Sequence, residues 1–105
     1  MADLVQVQSA VDREDEAARL AGLLVDRRLA ACVQIVGPVH SHYRWQGELE
    51  TASEWLLLAK TTVDRSAAVI ELLTAEHPYD NPEVIAVAVV GGSAAYLDWV
   101  AAETT

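Results

Sequence analysis

Four side chains in this sequence have the chemistry to bind a transition metal ion. They are one thiol and three imidazoles: Cys32, His40, His42 and His77. Thiolate and imidazole groups are the ligands that copper(II) and zinc favour. His40 and His42 stand two residues apart in a strand-like segment, so both side chains leave one face and could chelate a single ion. The alternative is an ordinary half-exposed strand in which polar and apolar residues alternate.

Cys32 and His77 each have a plainer structural interpretation beside the metal-binding one. Cys32 lies in the apolar run of residues 29–33, where a cysteine most often acts as a small buried hydrophobe. His77 stands at the end of a helical pattern, where an imidazole can satisfy the last carbonyl groups of the helix. The sequence leaves both alternatives open.

The segment from His77 to Glu83 combines two prolines with ring and ionisable side chains. Each proline fixes its own backbone and disfavours a helical conformation in the residue before it, so this connection is stiff. We expect a small-ligand cleft that offers a base, a phenol, a carboxylate and a cation, lined by His77, Tyr79, Glu83 and Lys60. The alternative is a plugged cleft, in which Lys60 and Glu83 form a buried ion pair above Tyr79.

The elements that must position these residues alternate between strand and helix patterns. Strands show apolar residues at every second position, and helices show them at a spacing of three and four. Strand patterns cover Leu4–Val11, Ala31–Gln46, Glu48–Thr62 and Val84–Val90. The last of these is a continuous apolar run, which predicts burial on both faces of the strand. Helical patterns cover Arg13–Arg28, the residues from Asp64 to Pro78 and a last helix ending near Ala102. This order predicts an α+β ferredoxin-like βαββαβ sandwich with an extra C-terminal helix, the helices of the sandwich covering one face of an antiparallel sheet.

The ends of the helices follow from local residue chemistry. We expect Asp12, Asp64 and Ser93 to cap the three helices at their N-termini. Arg27 and Arg28 fall in the last turn of the first helical pattern, where a positive charge complements the helix dipole.

The two central strands form a hairpin that is long for a chain of this size. They meet at Gln46-Gly47, and Gly37-Pro38 interrupts the first of them as a predicted bulge. A strand of that length spans on the order of 50 Å at about 3.3 Å per residue, so the hairpin must project from the globule. Its apolar side chains then need cover from a neighbouring subunit; they are Tyr43, Trp45, Leu49 and Trp55. The sequence therefore predicts an obligate oligomer.

Composition limits the classes of function. The chain has 105 residues, with 16 acidic and 7 basic side chains and a formal net charge of −9, which disfavours nucleic-acid and anionic membrane partners. We expect one domain spanning residues 1–105. The single cysteine and the lack of a leader-like start favour the reducing cytoplasm. No apolar run approaches the roughly 20 residues that a membrane-spanning helix needs.

Five segments together resemble the CutA divalent-ion tolerance family. They are Ala30-Ala31-Cys32-Val33, Tyr43-Arg44-Trp45-Gln46-Gly47, Glu54-Trp55-Leu56-Leu57-Leu58-Ala59-Lys60-Thr61, His77-Pro78-Tyr79-Asp80-Asn81-Pro82-Glu83 and Tyr96-Leu97-Asp98-Trp99. The resemblance covers nearly the whole chain and implies a ferredoxin-like subunit in a tight homotrimer, similar in plan to the PII signalling proteins. It also implies binding of copper(II) or another divalent metal ion, since members are commonly described as copper-binding.

Two departures from the family pattern bear on the site. Some relatives carry two or three cysteines, whereas Cys32 stands alone here, which excludes a multi-thiolate site within one subunit. Asp80 stands where many relatives have glutamate, a longer carboxylate with a different reach.

Three functions remain, in this order of preference. The first is metal homeostasis through bound divalent ions, the second is a PII-like trimeric signal or small-ligand binding module, and the third is a structural scaffold trimer. The trimer interface would be anchored by aromatic side chains: Tyr43, Trp45, Trp55 and Trp99. No nucleophile elbow, nucleotide-binding glycine loop or metalloprotease motif is present, so we expect neither an enzyme nor an organic cofactor.

Overall fold

The computed structural model describes residues 3–105. Its elements are β1 (Leu4–Val11), α1 (Glu14–Asp26), β2 (Cys32–Trp45), β3 (Glu48–Thr62), α2 (Val63–Glu76), β4 (Val84–Val89) and α3 (Ala94–Glu103). The strands form one antiparallel sheet in the order β2-β3-β1-β4. The predicted α+β ferredoxin-like architecture, with its long β2-β3 hairpin and added C-terminal helix, is confirmed.

One face of the sheet packs against α1 and α2. Val7 of β1 and Leu57 of β3 meet Leu20 of α1 and Leu73 of α2 in the main hydrophobic cluster, and all four side chains are fully buried. Burying an aliphatic side chain of this size stabilises the fold by about 1.5–3 kcal/mol. This covered face is the core that holds the subunit together.

The third helix lies on the opposite face of the sheet, which the sequence had not indicated. Leu4 and Val7 stand three positions apart in β1, so their side chains leave opposite faces. Leu4 forms a second buried cluster with Leu97 and Val100 of α3. The surface that α3 leaves uncovered, called here the open face, carries Gln6, Gln8, Gln34, Lys60, Ile85 and Val87.

The prediction that residues 84–90 are buried on both faces is wrong for the single chain. Ile85 and Val87 are 48% and 44% exposed, and Val90 is fully exposed beyond the end of β4. These side chains are exposed because β4 is an edge strand that pairs with β1 alone. Ile85 and Val87 lie opposite Gln8 and Gln6 on the open face.

The hairpin has the predicted turn, bulge and length. Gln46 and Gly47 have positive φ values of 49° and 83°, as a two-residue hairpin turn requires. The register shifts between Val36 and Val39, which confirms the bulge at Gly37-Pro38. A Cβ atom on Gly37 would stand 2.6 Å from the Trp55 ring, so this position has room only for glycine. The longest dimension of the subunit is 45 Å.

Two of the three predicted helix caps are wrong. The N-cap of α1 is Arg13 rather than Asp12, and the N-cap of α2 is Thr62 rather than Asp64. Both caps have extended backbone, and β3 passes into α2 without a loop, so the second helix starts earlier than the sequence indicated. Ser93 does occupy the N-cap of α3, although its side chain makes no capping hydrogen bond.

The first helix also ends earlier than predicted. It stops at Asp26 and has no basic residue in its last turn, because Arg28 adopts a left-handed backbone with φ of 57°. The guanidinium of Arg28 instead donates hydrogen bonds to the carbonyl oxygens of Ala102 and Thr105. Over residues 3–105, no helix combines the length and apolar character needed to cross a bilayer.

Candidate functional site

His77 is a buried link between α2 and the sheet. Its Nε2 lies 2.9 Å from the carbonyl oxygen of Ala10, and its Nδ1 accepts a hydrogen bond of 3.1 Å from the backbone N–H of Tyr79. Since Nδ1 accepts, Nε2 carries the proton and donates to Ala10. His77 therefore satisfies a carbonyl of β1, not the last carbonyls of its own helix, and a metal ion would have to displace one of these two bonds.

Tyr79 and Glu54 form a hydrogen bond between the loop and the hairpin. The Tyr79 hydroxyl donates to Glu54 Oε2 over 2.9 Å, and Glu54 is only 8% exposed. Burial raises the pKa of Tyr79 well above its ordinary value, and the adjacent Glu54 carboxylate raises it further. The Tyr79 ring also stacks at a tilt on His77, with ring centroids 4.7 Å apart.

Tyr79 and Glu54 line a cleft between the hairpin and the loop that follows α2, whereas His77, which was predicted to line it, does not. The cleft has a volume of about 790 Å³ and is bounded by residues 41–45 on one side and residues 79–83 on the other, with Ala10 and Glu54 between them. Glu83 lines it as predicted, and the Glu83 carbonyl oxygen accepts a 2.7 Å hydrogen bond from Ser9 Oγ. This space is named the hairpin–loop cleft below.

Lys60 is not part of this cleft. Its Nζ donates to Gln34 Oε1 over 2.6 Å and to the Leu58 carbonyl oxygen over 3.3 Å, and burial lowers the pKa of the amine. It lies four residues along β3 from Leu56, the residue opposite Ala10, which is about 13 Å of strand. The structure thus forms neither the predicted four-residue cleft nor the alternative ion pair between Lys60 and Glu83.

Cys32 lies away from the three histidines. It is half-buried at the start of β2, directly opposite Lys60. Tyr96 of α3 is close enough that Cys32 contributes, after burial, to the raised pKa of the Tyr96 phenol. The thiol is therefore beside a lysine and a tyrosine, and within one subunit no imidazole joins it.

His40 and His42 are both exposed on the projecting part of β2. They stand opposite Ser53 and Thr51 of β3, as alternate residues on one face of the hairpin. Neither imidazole forms a hydrogen bond to another residue between 3 and 105. Within that same range, no three His, Cys, Asp or Glu side chains cluster so that they could hold a metal ion. One subunit therefore offers a pair of imidazoles rather than a closed site.

The large aromatic side chains of the hairpin and α3 are largely uncovered in one subunit. Tyr43 and Trp45 are each 45% exposed, Leu49 is 77% exposed and Trp99 is 43% exposed. Trp55 differs, because it packs against the main core of its own subunit. Tyr43 and Trp45 leave one face of the hairpin and Leu49 leaves the other, because Leu49 stands opposite Arg44 in the register.

Sequence reasoning missed Glu54 and the hairpin wall of the cleft. Glu54 is an acid directly before the apolar strand residues Trp55, Leu56 and Leu57, and a charged residue at such a position signals a polar partner inside the fold. The signal was present, but the partner, Tyr79, is 25 residues further along the chain. Glu54 lies in β3 and Tyr79 in the loop after α2, so only the folded structure shows that the two side chains meet.

Comparison with known proteins gives one consistent result. The model of the family described as CutA1 divalent ion tolerance protein matches residues 5–103. The Divalent-cation tolerance protein CutA of Thermus thermophilus is 45% identical over 94 residues, which are 90% of this chain and 91% of that protein. The crystal structure of CutA from Xylella fastidiosa superposes with a TM-score of 0.95 at 40% identity, covering 99% of this chain and 100% of that one.

A plant relative is longer than this chain. Protein CutA 1, chloroplastic, of Oryza sativa is 41% identical over 96 residues, which are 91% of this chain but 54% of the plant protein. This chain thus spans about half the length of that relative and nearly all of the bacterial one.

Proposed function

This chain belongs to the CutA1 divalent ion tolerance protein family, and from that premise we propose that it binds copper(II) or a related divalent ion through His40 and His42. One observation carries the proposal. These two imidazoles are exposed, share one strand face and have no hydrogen-bond partner among the described side chains. Alternate strand residues stand about 6.6 Å apart at their Cα atoms, which allows both rings to reach one ion.

The other candidate ligands are less available. Both ring nitrogens of His77 are occupied by backbone hydrogen bonds, and Cys32 lies half-buried beside Lys60, whose positive charge disfavours a bound cation. We therefore assign Cys32 and His77 structural roles and the metal to the hairpin pair. The two imidazoles supply two ligands, and solvent or another subunit completes the coordination.

The metal-binding unit we propose is a homotrimer. Tyr43, Trp45, Leu49 and Trp99 are all largely exposed in one subunit, as are Ile85 and Val87 on β4, and exposed apolar side chains in such numbers are typical of an interaction surface. Packing against like subunits covers the β4 surface and those parts of the arm that do not line the hairpin–loop cleft. A trimer carries three copies of the histidine pair and three times the acidic net charge of −9 per chain, which draws cations to its surface.

A calorimetric titration of the reduced, assembled protein with copper(II) in a weakly coordinating buffer tests the metal site. We expect saturation at a whole number of ions per subunit or per trimer. The double variant His40→Ala/His42→Ala should lose at least tenfold in affinity, whereas the control Thr51→Ala/Ser53→Ala, which changes the residues opposite the histidines, should bind as the unchanged protein does. Equal affinity in the histidine variant contradicts the site, and heat that does not saturate contradicts specific binding altogether.

A second candidate function, a small-ligand or signal-binding module, is supported by the hairpin–loop cleft. The cleft combines a volume of about 790 Å³ with a buried acid at its base, and ligand sites in proteins typically measure about 300–1,000 Å³. The metal site and the cleft share His42, whereas His40 belongs to the metal site alone and Glu54 to the cleft alone. A scaffold trimer, the third possibility, has only the exposed apolar surface in its favour.

Three further expectations remain proposals. We propose that residues 1–105 act as one domain and that the chain works in the cytoplasm. We also propose that it is a binding protein, not an enzyme, and that it takes no organic cofactor. The single cysteine supports the cytoplasmic location, although the plant relative is named as chloroplastic.

A further inference from the structure

We propose that the hairpin–loop cleft binds a small organic cation, with the ammonium group of the ligand at Glu54. This inference rests on the small-ligand function and does not require copper at His40 and His42, although His42 also lines the cleft. The observation behind it is a buried carboxylate that the protein itself leaves incompletely paired.

Glu54 is the most buried acidic side chain at the cleft, with 8% of its surface exposed. One carboxylate oxygen accepts the Tyr79 hydroxyl over 2.9 Å, and the other accepts no hydrogen bond from any residue in the range 3–105. That second oxygen is not sealed from the cleft, since no fully buried side-chain oxygen in this range lacks a partner. No lysine or arginine in the range lies within ion-pair distance of Glu54.

Burying the Glu54 carboxylate lowers the stability of the fold. Removing a carboxylate from water is unfavourable unless a cation and hydrogen bonds replace the lost hydration. Tyr79 supplies one hydrogen bond but no charge. A positively charged ligand group that reaches the second oxygen of Glu54 therefore supplies what the subunit lacks.

The walls of the cleft suit the rest of such a ligand. Tyr43 and Trp45 line the cleft, and the face of an aromatic ring attracts an ammonium group through its quadrupole. Asp80 and Glu83 line the opposite wall, and their charges add to the negative potential inside a low-dielectric space. An apolar, positively charged molecule finds both a surface for its body and a partner for its charge.

Two basic side chains also line the cleft and must be weighed against this. His42 and Arg44 belong to the hairpin wall, but both are exposed, so water and salt screen their charges. Arg44 does not pair with Glu54, and no ion pair within residues 3–105 involves it. The buried negative charge consequently dominates the base of the cleft.

A divalent metal ion is a poorer occupant than an organic cation. Metal ions of the hard class need several oxygen ligands gathered around one point. In the part of the chain that the structure describes, no group of three acidic, histidine or cysteine side chains is gathered in this way. The acids of the cleft are spread along two walls instead.

The test compares two probes of nearly the same shape, 2-phenylethylamine and 2-phenylethanol, by calorimetry on the assembled protein in amine-free phosphate buffer. We expect the amine to bind at least tenfold more tightly than the alcohol. The variant Glu54→Gln keeps the shape and the bond to Tyr79 but removes the charge, and it should reduce this preference to less than threefold. The control Glu71→Gln makes the same change of net charge on the exposed surface of α2 and should keep the full preference.

A second variant tests the same assignment if Glu54→Gln does not fold. Trp45→Leu replaces an exposed ring on the cleft wall and should weaken the amine more than the alcohol. Equal affinity of the two probes overturns the cation assignment but leaves the small-ligand function standing. Binding of neither probe overturns both, as it would if a neighbouring subunit fills the cleft. A preference for the amine that survives in Glu54→Gln overturns the role of Glu54.

Discussion

The two faces of the sheet both carry aliphatic side chains but differ in how far the subunit covers them. On the covered face, Leu57 and Val7 are fully buried beneath α1 and α2. On the open face, Ile85 and Val87 remain 48% and 44% exposed. Exposure of aliphatic side chains to water is unfavourable, so the covered face gains from burial within the subunit, whereas Ile85 and Val87 do not.

The largest expected effect lies on the covered face. Leu57→Ala removes a fully buried side chain and should lower the free energy of unfolding by about 2–5 kcal/mol. Leu49→Ala, made in the same strand where the side chain is 77% exposed within one subunit, should lower it by less, because only a neighbouring subunit can bury that side chain. Urea denaturation of variants kept at equal protein concentration measures both. Similar losses would mean that Leu49 is buried in the assembled protein as firmly as Leu57 is.

An intermediate effect is expected on the open face, and it should appear in assembly rather than in folding. Val87→Asp places a charge on the surface that we assign to a neighbouring subunit, and it should weaken subunit association at least tenfold, or by about 1.4 kcal/mol. Val25→Asp is a matched control, because Val25 lies on α1 and Val87 on β4, yet both are 44% exposed. Sedimentation velocity over a range of concentrations checks the difference.

Equal association by the two aspartate variants would contradict burial of the open face. Dissociation of both variants would instead extend the interface to the helical layer of the subunit.

The smallest expected effect lies at the boundary between the two regions, where Tyr79 meets Glu54. The folded protein holds the pKa of Tyr79 above its ordinary value, so the folded state binds the phenol proton more tightly than the unfolded state does. Stability from this group is therefore complete below the unfolded tyrosine pKa of about 10 and falls as the pH rises above it. In Tyr79→Phe, the decline in the free energy of unfolding above that pH should be shallower than in the unchanged protein. Identical slopes would show that Tyr79 does not contribute to the alkaline loss of stability.

The secondary structure and topology could be predicted from the sequence because they depend on local patterns. Alternating apolar residues identified the strands, and Gln46-Gly47 and Gly37-Pro38 located the turn and the bulge that the structure has. The helix caps were less predictable, since the strands run almost directly into the helices. Asp12 and Asp64 have the right chemistry for caps but stand at the wrong position by one or two residues.

The composition of the cleft could be predicted only in part. Tyr79 and Glu83 do line it, because a stiff loop with two prolines keeps its side chains in place. Lys60 does not, since its position depends on the register of β3 against β1, which places it opposite Gln6. Pairing register is set across the sheet by packing, so a sequence without a structure could not show that Glu54, not Lys60, faces the loop.

The direct junction between β3 and α2 has a mechanical consequence. Residues 48–76 run from the tip of the arm to the end of α2 with no loop between strand and helix, and the first backbone N–H of α2, that of Val63, is tied to the Asp3 carbonyl oxygen over 3.0 Å. This segment has no loop at which strand and helix could bend apart, and the hydrogen bond from Tyr79 to Glu54 joins its strand to the loop that follows α2. The two walls of the cleft are thus linked both through the chain and through this side-chain bond.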